Sequence, residues 1–101
     1  MVNSKEFVCN LAKKGFVSEI MSDIRDVILK IEVAEQFIGD MKHITELARM
    51  SESLELRAKG GLLALEQECG KMRDDGVLAV VSVTSEINER SQRLLDKAER
   101  I

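Results

Sequence analysis

The stretch Val17–Ala48, VSEIMSDIRDVILKIEVAEQFIGDMKHITELA, decides the fold. Val17, Ile20, Ile24, Val27, Ile31, Ala34, Ile38, Met41, Thr45 and Ala48 step alternately by three and four residues, and all but Thr45 are apolar. Strict alternation fails at once in the run Val27, Ile28, Leu29, Lys30, Ile31, so the period is that of a helix and not of a strand. Ser18 can cap its start, with Glu19 and Asp23 near the positive end of the helix dipole. The spacing predicts one helix over 17–50, and its average period of about 3.5 residues implies a left-handed coiled seam.

Upstream, Asn3 followed by Glu6 has capping-box spacing, and Phe7, Val8, Leu11 and Ala12 fall on one face. Lys13, Lys14 and Gly15 read as a basic last turn and a glycine stop, giving a short N-terminal helix over 4–14. Downstream, the register slips at Met50–Ser53, where Glu52 and Glu55 would enter the seam and Ser51 or Ser53 offers a fresh cap, so a turn or stutter is expected there. Leu54, Ala58, Leu62, Leu65, Cys69 and Met72 then mark a helix over 53–73, interrupted by Gly60 and Gly61. Lys71 and Arg73 followed by Asp74, Asp75 and Gly76 read as the clearest turn in the chain.

The segment Val77–Val83 has strand composition on its own, but nothing else in the chain offers it a strand to pair with. Val77, Val80, Thr84, Ile87, Ser91, Leu94, Ala98 and Ile101 keep helical spacing to the C-terminus, which predicts a helix over 77–101. The expected fold is therefore all-α. It is an elongated helical bundle, or coiled-coil-like hairpin, of three main helices plus a short N-terminal one, in a single domain over 1–101. A 34-residue helix is about 51 Å long, so the molecule should be a rod, with part of the long seam bare unless a partner covers it.

Composition removes several functions. The chain has 101 residues, 33% of them charged, a net charge of −3, one histidine and no proline, tryptophan or tyrosine. Its three phenylalanines, Phe7, Phe16 and Phe37, sit among aliphatic residues and read as core, so base-stacking recognition of RNA or single strands has nothing to use. His43 is the only imidazole available for a nucleophile's base or a zinc site. Asp40, His43 and Glu46 stand three residues apart, and the Asp-x-x-His step is similar in outline to the Glu-x-x-His step of di-iron helical bundles. Those bundles use two such steps facing the core, whereas these residues face away from the seam, so a solvated polar face is the expected reading.

Lys59 before Gly60 and Gly61 lacks the strand and the Ser or Thr of a phosphate-binding loop. Cys9 and Cys69 form no CxxC pair and read as small apolar residues with free thiols, and Met21, Met41, Met50 and Met72 read as filling. The longest apolar run is Val77–Val81, too short to span a bilayer, and the start MVNSKEFVCN has no secretory apolar core, so a cytoplasmic protein without membrane association is expected.

What remains is a non-enzymatic interaction protein, an adaptor, chaperone or inhibitor presenting apolar heptad faces, without cofactor or metal. Its expected contact residues are Ile20, Ile24, Val27, Ile31, Ile38 and Met41, together with a basic flank of Arg90, Arg93, Lys97 and Arg100. A homodimer or a complex with another helical protein is expected. The basic flank also raises a small nucleic-acid-binding regulator as an alternative, disfavoured by the interleaved Glu89, Asp96 and Glu99. A helical-bundle metal protein is the third reading.

Overall fold

A computed structural model describes residues 4–70 and 74–101. The cap expected at Asn3, and Lys71, Met72 and Arg73 at the turn, lie outside the described residues. Among those described the chain is all-α, with α1 Ser4–Gln36, α2 Met41–Cys69 and α3 Asp75–Glu99. The three helices share one core in a rod of 61 × 18 × 18 Å. No described helix is long and apolar enough to cross a membrane.

The helix boundaries correct the sequence reading at three places. There is no short N-terminal helix, because α1 runs through Gly15 without interruption. Its inward stripe of Cys9, Lys13, Ile20, Ile24, Val27, Ile31 and Ala34 continues past the glycine, and that packing outweighs a local propensity cost of about 1 kcal/mol. The second correction is at Phe37–Asp40, where the expected 17–50 helix is cut. The Asp40 carboxylate accepts from the His43 backbone N–H at 3.2 Å and caps α2, while the Asp40 N–H reaches the Phe37 carbonyl at 3.0 Å. Ile38 and Met41 happen to preserve the apolar spacing across this Gly-Asp turn, which masked it in the sequence.

The third correction is at Met50–Ser53, where α2 is continuous. Of its buried positions, Ile44, Leu47, Ser51, Leu54 and Ala58 keep an unbroken three-four rhythm beside the expected Met41–Thr45–Ala48 stripe, of which only Ala48 is buried. Ser51 is a seam residue rather than a cap. Its Oγ donates to the Leu47 carbonyl at 2.9 Å and lies 2.7 Å from Ser91 Oγ of α3, so the buried hydroxyls satisfy one another. Gly61 occupies the same stripe because Phe16 of α1 fills the space its side chain would need.

Helix α3 buries Val77, Val80, Thr84, Ile87, Ser91 and Leu94, all of them expected seam positions, and the strand alternative for Val77–Val83 is overturned. Asp74 caps it, accepting from the Gly76 and Val77 N–H groups at 3.0 and 3.2 Å. The cysteines correct a further expectation. Cys9, near the start of α1, is bonded to Cys69, the last residue of α2. This clasp joins the two antiparallel helices at the end of the rod opposite the Phe37–Asp40 turn, and Asp23 pairs with Arg57 between clasp and turn. Neither cysteine is free among the described residues, so the reading of both as unpaired small apolar side chains is corrected.

Candidate interaction surface

Folding the long seam back at Phe37–Asp40 changes what is left outside. Ile20, Ile24, Val27 and Ile31, expected at a bare seam, lie in the core at 4% exposure or less. Ile38 is half-buried against that core, and Met41 is exposed beside the turn. With helices of 33, 29 and 25 residues, the inward stripe of α1 has partners within the chain.

The basic flank is partly assembled. Arg90, Arg93 and Lys97 line one groove of about 450 Å³ between α1 and α3, together with Glu35, Ile38 and Leu94. Glu35 takes two contacts from Arg90, from Nε at 2.8 Å and Nη2 at 2.7 Å, which neutralises one of the three cations. Arg93 and Lys97 have no ion pair among the described residues. Arg100 follows the end of α3 and does not line the groove. Asp40 is engaged as the α2 cap, and Glu46 pairs with Arg49 at 3.4 Å.

A surface that sequence reasoning missed lies on the outward side of α1. Phe7, Leu11, Leu29, Val33 and Phe37 are all more than half exposed, with Leu29 at 62% and Phe37 at 64%. They belong to a second stripe, Phe7, Leu11, Gly15, Ser18, Ser22, Asp26, Leu29 and Val33 on α1, continued by Phe37 one residue past its end, every member of which is exposed. Its steps are four, four and three in repetition, an eleven-residue period that stays nearly straight along a helix. Eight of the nine are uncharged, and the ninth, Asp26, is bound by Lys30 of the same helix at 2.8 Å.

A helix apolar on its inward face alone would satisfy this core; α1 carries large apolar groups on both sides. The expectation that Phe7 and Phe37 are core is thereby corrected, and so is the inward reading of Phe7, Val8, Leu11 and Ala12, all of which are exposed. The stripe is legible only once α1 is known to be continuous through Gly15, because a helix ending at 14 severs Phe7 and Leu11 from the rest. Gly15 itself has nothing within 4 Å of where a Cβ would sit, so no packing within the chain accounts for a glycine there.

No protein-family model matches the chain, and no curated protein or solved structure matches it significantly.

Proposed function

We propose that this protein is a non-enzymatic helical interaction module, of the adaptor, chaperone or inhibitor kind, that binds helical protein surfaces. The observation that carries the proposal is the outward stripe of α1. Large apolar side chains exposed at both ends of one helix face, Phe7 and Leu11 at one and Leu29, Val33 and Phe37 at the other, exceed the singly scattered apolar residues of an ordinary surface and mark a contact surface. A core already closed by Ile31, Ile44 and Leu47 has no use for Leu29, Val33 or Phe37. Helix-on-helix recognition reads anchors at three- and four-residue steps, which is the arrangement this stripe offers.

The test is a photoreactive amino acid placed at position 29, with one at position 86 on exposed α3 as the comparison. The proposal expects crosslinks from position 29 to helical segments of a protein, itself included, and none from position 86. Equal labelling from both positions, or none from position 29, would contradict it.

A second reading, a nucleic-acid-binding regulator, draws on the shared groove of Arg90, Arg93 and Lys97. It is the weaker one, since Glu35 neutralises Arg90 and the chain is net acidic, whereas duplex binding rests on phosphate neutralisation by a basic face. Retention of a labelled duplex at low salt, lost in R93E/K97E, would favour it. A cytoplasmic location stands as a proposal against which the Cys9–Cys69 bond weighs, because disulfides persist mainly in oxidising compartments.

A further inference from the structure

We infer that the occupant of the outward α1 stripe is the same stripe of a second copy of this chain, laid antiparallel about a two-fold axis at Ser22. This rests on the interaction-module reading and names its partner. The stripe is symmetric about its own middle. Counting from Ser22, its members stand four, seven, eleven and fifteen residues away in both directions: Ser18 and Asp26, Gly15 and Leu29, Leu11 and Val33, Phe7 and Phe37. An isologous contact needs a surface complementary to itself, and in an antiparallel helix pair residues equidistant from the two-fold meet at one level. Leu29 then faces Gly15 of the other copy, Leu11 faces Val33, and Ser22 faces itself, while Phe37, in the turn just past the end of α1, lies at the same end as Phe7 of the other copy.

Size complements size in that register. The glycine for which the chain's own packing has no use lies opposite the most exposed leucine of the centre, giving Leu29 a space to enter and the two backbones room to approach. Asp26, already held by Lys30, meets the small polar Ser18.

Charge supplies a second, independent argument. A two-fold of this kind keeps each flank of the stripe against the same flank of the other copy. Lys14 and Glu32 are eighteen residues apart, five full turns, so they stand on one flank. Across the axis Lys14 comes within about two residues, or 3 Å, of the level of Glu32, and the symmetric contact repeats at the other end. Both side chains are exposed, and neither has an ion pair among the described residues; Arg25, also exposed on this flank, stands about five residues, or 7.5 Å, in level from Lys14 of the other copy, so its repulsion offsets part of the attraction. The opposite flank carries Glu19 and the Asp26–Lys30 pair, one net negative charge spread along the helix, which neither selects nor blocks the arrangement. A face about 50 Å long and 10 Å wide would bury roughly 1,000 Å² in total, the lower limit for a specific dimer, so association at tens of micromolar is expected.

The experiment uses the full chain with Cys9–Cys69 intact. Light scattering after size exclusion should give a dimer at 100 µM falling to monomer on dilution. K14E and E32K should each weaken the dimer about tenfold, and K14E/E32K, which reverses both charges, should restore it. S22C should form an intermolecular disulfide faster than S53C on exposed α2. Circular dichroism verifies that each variant folds. A monomer at 100 µM, or a double variant as weak as the singles, overturns the inference. If position 29 then still crosslinks to a different helical protein, the interaction-module reading stands while the self-association falls; if it crosslinks to nothing, both fall.

Discussion

Phe16 of α1 lies against Gly61 of α2 so closely that a Cβ built on the glycine would stand 2.2 Å from the Phe16 ring. Gly60, one residue earlier and exposed, has nothing within 4 Å of its own Cβ position. Adjacent glycines in one helix thus do different things, and alanine separates them. G60A should stabilise the protein by about 1 kcal/mol, the helix-propensity gain of alanine over glycine. G61A gains the same propensity but must displace the ring, for a net loss of about 1–2 kcal/mol. Urea unfolding of the two variants measures both, and equal gains would show that Phe16 yields without penalty.

The Ser51–Ser91 contact predicts an asymmetry. Ser51 has a single proton and gives it to the Leu47 carbonyl, so Ser91 is the donor between the two hydroxyls. S51A leaves the buried Ser91 hydroxyl without its acceptor and should cost about 1–3 kcal/mol, whereas S91A leaves Ser51 still bonded and should cost about 1 kcal/mol. A double-mutant cycle by thermal or urea unfolding reads the coupling, which should be clearly non-zero.

Asp40 holds the turn that the apolar rhythm conceals. Removing its carboxylate in D40A leaves the His43 N–H without its cap and should lower stability by about 1 kcal/mol. H43A removes only a side chain from an exposed position and should change stability little. Unfolding curves of the pair decide whether the role at this site belongs to Asp40 as a cap or to the imidazole.

The Cys9–Cys69 clasp closes a loop spanning 60 residues of sequence, and constraint of the unfolded chain of that length is worth about 4 kcal/mol. C9S/C69S should therefore unfold at markedly lower urea concentration than the oxidised protein. It should keep its helical circular dichroism, because Ile31, Ile44 and Leu47 at the centre of the core do not depend on the clasp. A variant as stable as the oxidised protein would deny the clasp a structural role.

How much of this was readable from the residues depended on how one-sided each helix is. In α3 every buried position belongs to a single stripe at helical spacing, apolar but for Thr84 and Ser91, so Val77 through Leu94 read as one helix face despite their β-branched composition. In α1 the second apolar face blurs the period, and Gly15 then looked like an end. In α2 a seam made partly of Ser51 and Gly61 resembled a cap and a break, since small residues at helix crossings carry no hydrophobic signal of their own. The Gly39-Asp40 turn signal was present but overridden by the spacing of Ile38 and Met41. Of the surface, the basic flank was visible as a pattern, although its groove with Glu35 and Ile38 required the tertiary fold. The outward stripe could emerge only after the continuity of α1 was known.

A different asymmetry tests the two faces of α1 against each other. I31D places a charge at a fully buried core position and should unfold the chain, with a loss of several kcal/mol. L29D, two residues away but outward, should leave circular dichroism and the urea midpoint nearly unchanged.

The most direct measurement is sedimentation velocity of the wild-type chain beside L29D/V33D at tens of micromolar. If the outward stripe of α1 is a binding surface for a second copy, the wild-type protein sediments as a species of twice 11.3 kDa and the equally helical variant as a monomer. Identical sedimentation of the two, both as monomers or both as dimers, would contradict it.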